Sequence, residues 1–164
     1  MGRGPVGAPA LVKYNDQSIS AITEIATSAK DSMVLIKTLT ASSDSTLDFV
    51  NGSDDVVLDS TYPIYVFKFI NMHPASDNQE FQVNFTTDGT NFNVTKTTSL
   101  FRSQHNEGDG DTSLSYDSGD DLAQATGNQM LNTEIGSDND QCSSGELWLF
   151  NPSSTTFVKH IMSN

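Results

Sequence analysis

The sequence predicts an all-β protein, an antiparallel two-sheet β-sandwich of jelly-roll type preceded by an extended N-terminal arm. Three observations predict it. From Leu47 to Asn91 short apolar bursts alternate with turn residues at nearly even spacing. Ser, Thr, Asn, Asp and Gly are plentiful while charged residues are few, the balance of a turn-rich β protein. No long helical patterns alternate with the strand-forming runs, which argues against parallel α/β architectures. At 164 residues the chain fits one domain with a real core.

Residues 1–32 are read as an arm or attachment segment and 33–164 as the sandwich. The first 14 positions, MGRGPVGAPALVKY, carry Gly, Pro and two cations without periodicity and cannot bury enough apolar surface to order themselves. From Asp16 onward Ile19, Ile22, Ile25, Ala26 and Ala29 recur at threes and fours, the stripe of a short amphipathic helix capped by Asn15 or Asp16. Frequent Ser and Thr leave extended structure open there. Val6, Leu11, Val12, Tyr14, Ile19, Ile22 and Ile25 are the candidate attachment residues.

The β-rich run 33–40 (MVLIKTLT) is expected to be the first strand, ending in the polar turn ASSDS. Residues 47–50 and 56–58 follow as strands on either side of an Asn51-Gly52 turn. The run 64–70 has apolar residues on both faces, the mark of a central strand covered on both sides. Phe81, Val83 and Phe85 alternate with Gln82, Asn84 and Thr86, giving a half-buried strand. That strand is expected to turn through Asp88-Gly89 and return as 92–97 in a hairpin. Residues 122–135 read either as a short helix weakened by Gly127 or as a long loop. The chain closes with the strands 146–150 and 156–161, separated by a turn at Asn151-Pro152.

Composition excludes whole classes of function. A net charge of −13 repels phosphate backbones, so no nucleic-acid partner is expected. No run approaches the ~18 apolar residues of a membrane span, and the N-terminus has no apolar core of a secretory signal. No membrane insertion is expected, and synthesis is expected in a cytoplasm. The single cysteine, Cys142, has no second thiol for a disulfide or a metal cluster and reads as incidental.

No catalytic, cofactor-binding or metal-binding residues are expected. Between Arg102 and Lys159 the chain has no Lys or Arg and many acids, and the loop GDGDTSLSYDSGDD resembles a calcium loop only superficially. Counted from Asp109, the sixth position that an EF-hand gives to glycine is Leu114, and the twelfth holds Asp120 instead of the longer glutamate. His73, His105 and His160 lack any close ligand spacing; His105, Glu107 and Asp109 form the nearest approach to a metal cluster. Carboxylate pairs for glycoside hydrolysis are available in any acid-rich chain and are not specific. There is no nucleophile elbow, phosphate loop or dinucleotide fingerprint. Trp148, Phe150 and Tyr65 are candidates for a sugar-stacking platform, although alternation within ELWLF assigns part of that strand to the core.

The stretches VVLDSTY at 56–62, His73-Pro74-Ala75 and LFNPSSTTFVKH at 149–160 resemble a family of virion structural proteins of marine tailed bacteriophages, the resemblance covering 33–163. It implies a β-sandwich repeated on the particle, as a decoration or cement protein of the head or as part of a tail or fibre, with no cofactor. The implied partners are other copies of the chain, as a trimer or higher assembly, and capsid or tail proteins. Members of that family continue into further strand-forming sequence past the position of His160, so either those strands are dispensable or a neighbouring subunit completes the sheet. A receptor- or carbohydrate-binding module of a fibre is the alternative; it requires exposed aromatics beside the acidic loops.

Overall fold

The computed structural model describes residues 33–164. The candidate attachment residues Val6, Leu11, Val12, Tyr14, Ile19, Ile22 and Ile25, and the expected helix that carries three of them, lie outside the described residues. The chain divides between Leu39 and Thr40. Of the first unit, residues 33–39 carry no regular structure; the second, Thr40–Asn164, holds every strand of the described residues.

Among the described residues seven strands form, all in antiparallel pairs: β1 (Ile64–Met72), β2 (Gln79–Val83), β3 (Phe101–His105), β4 (Thr112–Tyr116), β5 (Gln129–Ile135), β6 (Ser143–Phe150) and β7 (His160–Ser163). There is no helix among the described residues. The pairing is nested. β3 pairs with β4, β2 with β5 and β1 with β6, while β7 adds to the far side of β6. The chain therefore runs out along 64–105, reverses at 106–111 and returns beside itself along 112–150.

Hydrogen bonds outside the ladders keep the two runs together. Between the inner and middle pairs, Lys96 and Ala125 exchange backbone bonds at 2.8 and 3.0 Å, Thr98 N donates to Leu122 O at 2.8 Å, and Asp117 N donates to Leu100 O at 2.9 Å. At the irregularity of the outer pair, Asn71 N donates to Ser144 Oγ at 3.1 Å, and between the middle and outer pairs Ser137 N donates to Asp77 Oδ1 at 2.8 Å. The register slips between Phe69 and Met72, where Asn71 takes φ of 52°, and again along β2–β5, with Asn78 and Glu134 at 57° and 56°. Such bulges bend a ribbon and increase its twist.

Most of the buried apolar side chains among the described residues belong to one face of the β1–β6–β7 sheet and its cover, and Met130 and Ile135 of β5 are buried as well. Alternation sends Tyr65, Phe67 and Phe69 of β1 to the same side as Leu149, Leu147 and Gly145 of β6, their respective partners, and Leu147 is only 1% exposed. The 47–62 segment covers this face: Phe49 meets Phe67 edge-on at 5.4 Å, Tyr62 meets Tyr65 at 5.9 Å, and Val56 is buried. The Tyr65 hydroxyl donates to Asp59 O at 2.9 Å, and burial pushes its pKa up. Phe69 stacks edge-on against Phe81 at 4.7 Å, joining β1 to β2.

Several expectations are corrected. Residues 33–40, 47–50 and 56–58 form no strands, because an extended, β-prone run counts as a strand only when its amides find a ladder partner. The Asn51-Gly52 turn does form, with Gly52 at φ 81° and Gly52 N donating to Val56 O at 2.9 Å. The run 64–70 becomes β1, but as an edge strand, not a central one. Gly89 adopts φ 76°, yet the expected hairpin does not zip up: one bond, Val94 N to Phe85 O at 3.2 Å, precedes divergence, and β2 takes β5 as its partner. Residues 129–135, read as part of a helix or loop, are a strand, and the acidic loop contains β4, the returning strand of the β3–β4 hairpin. The last strand begins at His160, not at 156, because Ser154 Oγ holds Thr156 N and Phe157 N in a turn at 3.3 and 3.2 Å.

Candidate functional surfaces

Three local environments carry the polar chemistry of the described residues. The first is the β3–β4 hairpin. Its register places Phe101 opposite Tyr116, Ser103 opposite Leu114 and His105 opposite Thr112 on one face. Phe101 and Tyr116 meet edge-on at 5.4 Å, yet Phe101 is 71% and Leu114 78% exposed. Asn106 shapes the tip by accepting from Gly110 N and Asp111 N at 2.9 and 3.1 Å. His105 Nε2 lies 3.0 Å from Asp109 Oδ1, and Gln104 Nε2 donates to Asp111 Oδ2 at 2.6 Å. The Tyr116 hydroxyl donates to Asp121 Oδ2, and that carboxylate pushes the phenol pKa up. The acidic stretch is thus tied down by its own polar side chains. Among the described residues no group of three or more His, Cys, Asp or Glu side chains comes together to hold a metal ion.

The second is an open cleft of about 200 Å³ beside the middle pair, lined by Glu80, Gln82, Asp120, Asp121, Leu122 and Asn128. Its charged lining is wholly acidic. Lys96 is 8% exposed and donates to Asn84 Oδ1 at 2.6 Å and Val94 O at 2.7 Å. Burial pushes the ammonium pKa down. Asn84 in turn donates to Thr126 O and Asn128 Oδ1 at 3.2 and 2.9 Å, and Asn128 to Gln82 Oε1 at 2.9 Å. Sequence reasoning missed this network. The signal was present: Phe92, Val94 and Lys96 share one face in period-two alternation, so the lysine occupies an inward slot.

The third is the Asp88 turn. Asp88 Oδ1 accepts from Thr90 N and Asn91 N at 2.9 and 2.7 Å, Asn91 Nδ2 reaches Oδ2 at 2.6 Å, and Thr86 Oγ1 adds a bond at 2.8 Å. The Asn91 donors, then Thr90 and Thr86, hold the Asp88 carboxyl well below its ordinary 3.8. A depressed carboxylate pKa stabilises the fold fully above the unfolded value and less as pH falls below it. The thermal-stability advantage of the wild type over Asp88→Ala is therefore expected to be flat above pH 4 and to shrink from there downward. Parallel melting curves across that range check it.

The structure separates the expected aromatic platform. Tyr65 is buried on the core face, whereas Trp148 and Phe150 project from the opposite face of the sheet. There the Trp148 indole donates to Glu146 Oε1 at 3.0 Å, which, ahead of Lys68, keeps the Glu146 carboxyl below its ordinary range. Cys142 is an exposed free thiol. No helix among the described residues is long and apolar enough to cross a membrane. The chain matches no family model, no curated protein and no solved structure.

Proposed function

We propose that the chain is a non-enzymatic structural component of a tailed-phage virion, a repeated decoration or cement protein of the head or part of a tail or fibre. In this reading it is made in the host bacterial cytoplasm, is held to the particle by residues 1–32, and associates with further copies and with capsid or tail proteins. The observation that carries it is where the large apolar side chains sit. Ile70, Phe101, Leu114, Phe157 and Val158 are each more than 70% exposed, while few apolar side chains in the described residues are buried. A body of this kind leaves apolar surface to be covered by neighbours, as repeating assemblies do. The resemblance of 33–163 to phage virion proteins points the same way.

The nested pairing supports a jelly-roll-like sandwich as the finer fold. Rolling one long antiparallel ribbon over on itself lays its halves as two facing sheets, and the bulges at Asn71 and Glu134 are where such a ribbon bends. Acidity aids solubility before assembly.

Deleting residues 1–32 tests the assignment. The shortened protein is expected to keep its β-type circular dichroism and cooperative melt but to be lost from purified particles; undiminished incorporation would overturn the anchoring role.

One observation favours a second reading, a receptor- or carbohydrate-binding module of a fibre. Phe101 and Tyr116 form an exposed aromatic pair beside Asp117, Asp120 and Asp121, the arrangement that stacks on a sugar ring while acids accept from its hydroxyls. In this reading the purified protein binds immobilised glycans and Tyr116→Ala weakens that binding by about tenfold, one stacking contact. A glycan array that stays blank removes it.

A further inference from the structure

The face of the β1–β6–β7 sheet turned away from the core is itself apolar. Ile64 and Val66 of β1, Trp148 and Phe150 of β6, and Met162 of β7 project from it by strand alternation and register, and Ile70 follows Phe69 in alternation where the register breaks. Ile64, Ile70 and Met162 are 43%, 72% and 58% exposed. An antiparallel sheet with one wet face alternates apolar with polar residues; a strand apolar on both faces is built for cover on both sides. The 47–62 segment covers one side only.

From this we propose that the outer face of the β1–β6–β7 sheet is a self-association surface, on which a second copy packs through its own equivalent face to complete a two-layer sandwich between subunits. Charge selects the occupant. The chain carries −13, so two copies repel across most of their surface. This face is the exception: its lysine and its glutamate, Lys68 and Glu146, already pair at 3.4 Å within each copy. A cationic partner would be drawn instead to the acidic hairpin and cleft. A two-fold face-to-face contact also brings Lys68 and Glu146 of each copy toward the same pair of the other, without uncompensated charge. Stacked sheets sit about 10 Å apart, a spacing set by interdigitating side chains such as Trp148 and Phe150. Three short strands offer at most about 400 Å² per copy, roughly half of a standard interface. The dimer is accordingly weak and concentration-dependent.

Trp148 is the chain's single tryptophan and lies on this face, so it reports directly on burial. Sedimentation equilibrium and tryptophan emission of the full chain should be followed together from about 1 µM to 1 mM. The expected result is a monomer–dimer equilibrium with a blue shift of the emission on the same concentration scale, tightened by added salt. Ile70→Asp combined with Met162→Asp, both at exposed positions, should raise the dissociation constant by about tenfold or more and remove the shift. Should that variant lose its native circular dichroism, Lys68→Glu sets two glutamates side by side at the same place on a residue whose side chain is 56% exposed. A monomer with exposed tryptophan throughout, a tryptophan shielded equally at every dilution by the chain's own segments, or a dimer indifferent to these substitutions would each overturn the proposal.

Discussion

Leu147→Ala is expected to lower the free energy of unfolding by about 3 kcal/mol, within the range for buried leucine truncations. Among the described residues Leu147 alone is a large side chain buried to within 2% of completion. It stands in the middle strand of the β1–β6–β7 sheet, opposite Phe67 and beside the 47–62 cover. Truncation removes apolar contacts and leaves a cavity that rigid neighbours on a hydrogen-bonded ladder close only in part. Because few other apolar side chains of the described residues are buried, the loss is a large share of their core. Urea denaturation followed by circular dichroism gives the number; a change below about 1 kcal/mol would show that the core is not centred on this sheet.

Gly145→Ala is expected to loosen the C-terminal strand. A Cβ on Gly145 would stand 2.8 Å from Asn164 O, the carbonyl that accepts from Glu146 N. The obstacle is backbone, so the end of β7 has to shift. Bonds at risk are Glu146 N to Asn164 O at 2.9 Å and Asn164 N to Glu146 O at 3.2 Å, together with that from Ser163 Oγ to Glu146 O. Overpacking of this type costs about 1–3 kcal/mol. Hydrogen exchange should quicken at Met162 and Asn164 while the inner β3–β4 amides keep their protection. Equal acceleration everywhere would mean that β7 and the hairpin open as one cooperative unit.

What was legible in the sequence was the part governed by local alternation. β1, β2 and β6 stand where IYVFKFI, FQV and ELWLF placed them, and the glycines at 52 and 89 take the positive φ that their turn signals require. The strands that escaped reading are polar. FRSQH, TSLSY and QMLNTEI owe their extended backbone to the partner across the ladder, and nothing in their own side chains announces it. The opposite error came from MVLIKTLT, whose β propensity is high and whose ladder is missing among the described residues. Long-range pairing has no local signature, so the choice of β5 over 92–97 as the partner of β2 was out of reach. For the candidate surfaces, the β3–β4 hairpin lay hidden in a stretch legible only as acidic, and the buried position of Lys96 required following alternation through a charged residue.

Nested pairing also sets a timetable for synthesis. Phe67 and Leu147 are partners 80 positions apart, so β1 leaves the ribosome long before β6 exists. At ~5–20 residues per second, IYVFKFINM waits about 4–16 s without its native neighbour. The β3–β4 hairpin, whose halves are separated only by a short reversal, closes first and brings later-made sequence back along earlier-made sequence. During that delay the nascent chain offers a greasy nine-residue segment to whatever is nearby, which makes β1 the segment that a chaperone, or a mispairing neighbour on the same polysome, meets first.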